Sequence, residues 1–234
     1  MSKKIRSLYI LSFFMLFSHA GAEVYFSVHP EIYSRYVFRG YSPEHSAPSA
    51  SLGGSAYFPD RGIGVSQLCV SSLEDVSAYH ELLTMFNYYH YFNDRFMMSG
   101  GIGAYFFPGV ENSPPFTLEF NLRFSGTGGA FPYTVGSYVD PVLKSWYWKC
   151  SVAHTFDVFL PVRLALNTGV NALPYERYGK NIPAGLSDIS ADLSTYISLK
   201  NWQFTPKLSY ILSLNKTMRE VSMFQVSLNT AYVF

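Results

Sequence analysis

The chain has 234 residues, of which 14% are charged and 18% aromatic, and its formal net charge is +1. A balance this close to zero gives no electrostatic footprint for a nucleic-acid partner, so that class is excluded. Beyond the first residues no apolar run approaches the ~20 residues of a membrane-spanning helix, so the apolar side chains must be distributed in alternation.

Residues 1–22 combine a basic head (Lys3, Lys4, Arg6), an apolar run over 8–17 and the small residues Ala20, Gly21 and Ala22. This is the pattern of a secretory signal peptide, with a mature chain expected from about Glu23. The apolar run is too short for a comfortable helical anchor. The remainder, 23–234, fits a single domain, as all-β barrels of this length commonly do.

From there, segments of alternating hydrophobicity recur at 24–41, 49–58, 63–71, 76–92, 95–107, 116–125, 131–140, 145–157, 161–172, 188–200, 202–214 and 221–234. The first is expected to bend at Pro30. In the third the alternation is muddled, which suggests a bulge over 67–70. The sixth is clean: Phe116, Leu118, Phe120, Leu122 and Phe124 alternate with Thr117, Glu119, Asn121, Arg123 and Ser125. Pro206 blemishes the eleventh, because proline donates no ladder hydrogen bond. In the last, Phe224, Val226, Leu228, Thr230, Tyr232 and Phe234 share one parity and Met223, Gln225, Ser227, Asn229, Ala231 and Val233 the other. Successive side chains of a strand point to opposite faces, so these segments each have an apolar-aromatic face and a more polar one.

A soluble β-sandwich also alternates, but with shorter strands and seldom with large aromatics at the ends of so many apolar faces. The connections alternate too: tight after even-numbered segments, mostly longer after odd-numbered ones, the longest at 173–187. Short turns on one side and long loops on the other predict a transmembrane antiparallel up-and-down β-barrel of about 12 strands in a bacterial outer membrane, with N- and C-termini periplasmic. Outer-membrane lipid, the barrel-assembly machinery and periplasmic chaperones are the partners this expectation carries. Cys69 and Cys150 fall on non-adjacent segments, so free buried thiols are expected over a bridge, although an oxidising compartment permits one.

The first segment contains Ser34-Arg35-Tyr36-Val37-Phe38-Arg39-Gly40, followed by a polar loop and the Gly/Ser-rich run 51–55. This resembles the TorF-type porin (Gcw_chp) family, best over 24–109. The resemblance implies an outer-membrane porin without an agreed substrate. Arg35 is more basic than the family signature, and 67–72 lacks the aromatic expected there.

If the apolar parity faces lipid, the opposite parity lines the lumen. Glu31, Arg35, Arg39, Glu81, Arg95, Glu119, Arg123, Lys149, Arg163, Asp192, Lys200 and Lys207 are then the lumen-lining charged residues, eight basic and four acidic. The sorting carries information because Arg or Lys at the bilayer midplane of the lipid face costs about 2–4 kcal/mol. Two readings stay open: a narrow pore favouring anions or neutral polar solutes, and interior ion pairs that fill a small barrel. His80, His90 and His154 share the apolar parity near strand ends, where they fit an interfacial aromatic belt. His29 and His45 lie near the first strand and loop. No Ser-His-Asn pattern, metal-ligand spacing or phosphate loop is present, so neither catalytic residues nor cofactors are expected. The function this predicts is passive diffusion of small hydrophilic solutes. A structural or adhesive barrel with a plugged lumen is the alternative, and a barrel enzyme acting on lipid is a further one.

Tyr232 and Phe234 are expected to act as the assembly signal. Deleting Phe234 should leave unfolded protein in the periplasm; normal outer-membrane levels of heat-modifiable truncated chain would contradict that role.

Overall fold

The computed structural model describes residues 23–37, 39, 47–74, 80–107, 114–157, 159–177, 180–214 and 222–234; the leader, His45 and the His80 side chain lie outside them. Nine strands run in order, β1 (Tyr25–Tyr33), β2 (Ser49–Phe58), β3 (Ile63–Ser72), β4 (His80–Asn93), β5 (Phe96–Phe106), β6 (Phe116–Gly128), β7 (Phe131–Asp140), β8 (Ser145–Asp157) and β9 (Pro161–Asn171). A short hairpin follows, β10 (Tyr175–Arg177) and β11 (Lys180–Ile182), then β12 (Gly185–Thr195), β13 (Ile197–Leu199), β14 (Trp202–Ser213) and β15 (Ser222–Val233).

From β1 to β9 each strand pairs antiparallel with the next, and β12 pairs with β9 on one side and β14 on the other. β15 pairs with β14 and with β1, which closes the sheet. Because β13 continues β12, the wall has twelve strands. Closure matters physically, since lipid offers no partner to an unpaired backbone N–H or C=O.

The faces sort as the alternation predicts. On β15, Met223, Gln225, Ser227 and Ala231 are buried, whereas Phe224, Val226 and Leu228 are exposed. On β6, Thr117, Glu119 and Asn121 are buried between exposed Phe116, Phe120 and Leu122. The outer surface is therefore an apolar band, with exposed Phe92, Phe131, Phe156 and Trp202 near one rim and Phe106, Phe116, Trp146 and Phe224 near the other. His90 packs on Phe92 at 4.7 Å, and His154 on Phe131 at 5.0 Å and Phe156 at 4.5 Å, inside the first of these aromatic girdles.

The tight turns share that rim. A 3-10 turn over Pro59–Arg61 joins β2 to β3. Asn93 Oδ1 accepts the N–H groups of Arg95 at 2.8 Å and Phe96 at 3.0 Å. Phe234 N–H donates to Phe26 O at 3.1 Å, so the last residue lies beside the start of β1 at the same rim.

Several expectations are corrected. The first strand ends at Tyr33, not near 41. In the β1–β2 register Tyr33 faces Ser49, so continuing the pairing would set Ser34 against Pro48, which has no N–H to donate. The register of β3 runs unbroken through 67–70 on both sides, so no bulge forms there. Its alternation is blurred because Leu68 and Val70 turn inward: Gly53 faces Leu68 and Leu68 faces Leu83, while Val70 faces Glu81. Pro206 acts as expected of a strand proline: β12 pairs with β14 as far as Lys207, β13 resumes at Phe204, and the ladder is interrupted between them. Arg95 and Lys200 sit in tight turns, exposed at the rim, with Lys200 at φ 54, so neither lines the lumen. Cys69 and Cys150 form no disulfide, as expected, but they lie exposed on the outward parity of β3 and β8 rather than buried. The long connection 173–187 contains the β10–β11 hairpin, whose Tyr175 and Ile182 pair and are buried, while Glu176 and Asn181 are exposed.

The sidedness expected from the short turns and long loops can be tested on whole cells. In a background lacking both native cysteines, Glu176→Cys should react on whole cells with an impermeant maleimide and Asp60→Cys should not; the reverse pattern would invert the barrel.

Candidate functional site

Alternation sends one side chain in two from every wall strand into the interior, where the two halves differ. Against β3–β5 the interior holds an apolar cluster: buried Leu83, Tyr105 and Phe107 with Leu68 and Met85, the rings of Tyr105 and Phe107 stacking at 6.1 Å. Against β7–β14 it is polar, around a cavity of about 300 Å³ lined by Arg39, Glu119, Tyr147, Lys149, Asp188 and Lys207 among others.

Residues 34–37 and 39, beyond the end of β1, reach into the interior. Ser34 still holds the wall, its N–H donating to Val226 O at 2.8 Å and its Oγ accepting from Val226 N–H at 2.9 Å. Farther on, Gln225 Nε2 donates to Arg35 O at 2.7 Å, and Ser187 Oγ donates to Arg39 O at 3.1 Å. Arg39 adopts a left-handed backbone, φ 51, which turns its side chain across the interior. Its guanidinium forms an ion pair with Glu119 of β6 and lies over the rings of Tyr147 at 4.5 Å and Tyr138 at 5.3 Å. Both charged side chains are shielded, at 8% and 5% exposure. β6 and β7 stand half-way round the twelve-strand wall from β1, so residues 34–37 and 39 form a strap across the lumen. Taking two charges out of water is costly unless each is well partnered. Here Glu119 also accepts the Tyr105 hydroxyl at 3.2 Å, and Arg39 gains the two ring faces.

The polar wall is built by close fit. Gly169 of β9 lies between Tyr147 of β8 and Asp188 of β12, and the Tyr147 hydroxyl donates to Asp188 Oδ1 at 3.2 Å across it. A Cβ on Gly169 would stand 2.6 Å from Asp188 Oδ1 and press into the tyrosine hydroxyl.

The sequence-derived residues divide. Glu31 faces inward on β1 and accepts from Tyr33 at 2.9 Å and Asn229 at 3.2 Å. Glu81 is fully buried on β4. Asp192 accepts from Asn167 at 2.9 Å, and Lys149 and Lys207 line the cavity with no salt bridge among the described residues. Arg163 lies on the inward parity of β9, open to the interior. Arg123 also faces inward, and its buried Nε has no hydrogen-bond partner among the described residues. Arg35 and Arg39 belong to the strap rather than to a strand face, which corrects their expected place on the lumen parity of the first segment. Three interior groups escape the sequence reading: Thr117 bonded to Asp140, Tyr147 bonded to Asp188, and a His29–Ser27–Ser55 cluster with contacts of 2.8 and 2.7 Å. Asp140 and Asp188 could have been found from their parity at strand ends; the others depend on contacts between strands.

No protein-family model matches the chain, and no curated protein matches it. The chain is similar in structure to a solved KdgM porin (12% identity, 89% of this chain and 99% of that one, TM-score 0.61) and to the NanC porin (9%, 88% and 98%, TM-score 0.58). It also resembles LpxR from Salmonella typhimurium (9%, 89% and 100%, TM-score 0.53). These likenesses establish the closed outer-membrane-type barrel fold.

Gly169→Val should destabilise the barrel by roughly 1–3 kcal/mol through overpacking. A drop in the temperature at which the folded band is lost on gels would register it, and an unchanged temperature would mean Tyr147 and Asp188 can shift aside.

Proposed function

We propose that the protein is a porin-like outer-membrane channel for passive diffusion of small hydrophilic solutes. The observation that carries this reading is a charged, hydrogen-bonding cavity inside a closed barrel whose outside is apolar. A polar interior can replace part of the hydration shell of a passing solute. A KdgM porin of this fold has been solved in complex with disordered oligogalacturonate (13% identity, 90% of this chain and 99% of that one, TM-score 0.58), which supports hydrophilic solutes as the class. Export by a cleaved signal peptide, delivery to the assembly machinery and membership of the TorF-type family belong to the same proposal, supported by residues 1–22, the closing strand and the signature at 34–40.

The charges around the cavity modify the expected selectivity. Glu119, Asp188 and Asp192 oppose Arg39, Lys149 and Lys207, an even balance. Weak ion preference is expected in place of the anion preference that the eight-to-four tally suggested. A plugged structural barrel is the second reading, favoured by the strap and by the buried face of the β10–β11 hairpin. A lipid-acting enzyme has less support: the Ser27–His29 contact lies on the inward parity, away from the lipid-facing surface.

Purified protein in a planar bilayer should give discrete conductance steps. Lys149→Glu with Lys207→Glu should move the reversal potential in a salt gradient toward cation preference, because lumen charges act strongly in a poorly hydrated space. Folded wild-type protein that never conducts would contradict the channel.

A further inference from the structure

We infer that residues 34–37 and 39 are the size-selecting element of the pore, and that the Arg39–Glu119 ion pair holds this strap across the lumen; the inference rests on the channel reading above.

Four observations converge on it. First, the strap leaves the wall where Pro48 ends the β1–β2 ladder, so its backbone groups need partners elsewhere. They find them inside: Arg35 O accepts from Gln225 of β15, and Arg39 O from Ser187 of β12. Second, among the described residues Arg39 is one of three non-glycine residues with positive φ, and like Lys144 and Lys200 it lies in a turn. A left-handed conformation of this kind costs free energy and persists where surrounding contacts over-determine it. Third, the side chain that it aims reaches strands half-way round the barrel, meeting Glu119 on β6, Tyr138 on β7 and Tyr147 on β8. Fourth, Val37 and Arg39 themselves line the cavity, so its size depends on where the strap lies.

The consequence differs from a charged-filter role for Arg39. Its charge is matched by Glu119 and covered by two rings, so it contributes little to the field seen by a passing ion. What it contributes is obstruction. A solute must pass beside the strap along the Lys149, Asp188 and Lys207 side, because the opposite side holds the apolar cluster of Leu83, Tyr105 and Phe107. Removing Glu119 takes away the ion-pair partner of the Arg39 charge, and removing Arg39 takes away the strap's charged tie to β6, so either change loosens the strap.

The test uses purified full-length protein, single-channel recording and liposome swelling with neutral sugars of increasing size. Glu119→Gln and Arg39→Gln should each raise conductance by about twofold or more and admit larger sugars, as a wider pore does. The charge-exchanged double variant, Arg39→Glu with Glu119→Arg, should fall back toward wild type, since a pairwise interaction shows as non-additivity. Heat-modifiability on gels checks folding of each. If the charge variants fail to fold, Gln225→Ala with Ser187→Ala removes the backbone anchors without stranding a charge, and should change conductance in the same direction. Wild-type channels matched by every folded variant in conductance and size limit would overturn the strap while leaving the channel intact. A silent wild type with conducting variants would support the strap and overturn the open channel. Silence in all of them would overturn both.

Discussion

Hydrocarbon offers no hydrogen-bond partner to a peptide group, and this constraint governs the whole molecule. Every wall strand must be paired on both sides, so the sheet has to close, and the pairing of β1 with β15 is where it does. Closure in turn divides the side chains of each strand between lipid and interior with a period of two. The apolar, aromatic outer face and the serine-, asparagine- and glutamate-rich inner face are thus two consequences of one rule. Where the rule is locally broken, a structural cause is visible. Pro206 interrupts the β12–β14 ladder, and the β4–β5 register shifts between Tyr91 and Asn93 next to a turn.

The interior is where the barrel departs from a simple tube. One side holds an apolar cluster, the other keeps a polar cavity, and Arg39 reaches from the strap after β1 to β6, β7 and β8. Burying the Arg39–Glu119 pair is costly, and the structure offsets that cost with tyrosine faces and the Tyr105 hydroxyl. An arrangement of this cost, spanning the middle of a lumen, fits a role in setting what passes better than a role in holding the wall together, since the wall is already closed by its own ladders.

Alternation was legible wherever burial decides it. Residues 116–125 and 222–234 sort onto the faces that their hydropathy indicates, because lipid on one side and a polar interior on the other leave no ambiguity. The faces of the third segment were not legible, because Leu68 serves an apolar cluster inside the barrel and Val70 is buried opposite Glu81, so both mimic the lipid-facing set. Residues 34–39 read as strand for a similar reason: Ser-Arg-Tyr-Val-Phe-Arg alternates well, and nothing within it announces that the neighbouring strand starts after a proline. The inward direction of Glu119, Lys149 and Lys207 followed from parity alone. Which charges are matched and which are free did not, because Arg39 and Glu119 are eighty residues apart and meet across the lumen.

The central claim is a closed barrel with lipid on one face of every strand and a polar interior on the other. A spin-label scan of β15 in bilayers, one position at a time through 222–233, tests it most directly. Labels at 224, 226 and 228 should be relaxed by oxygen dissolved in the lipid, and those at 225, 227 and 229 by a water-soluble paramagnetic reagent. A profile without this two-residue period, or one in which both sets respond to the water-soluble reagent alone, would contradict the account.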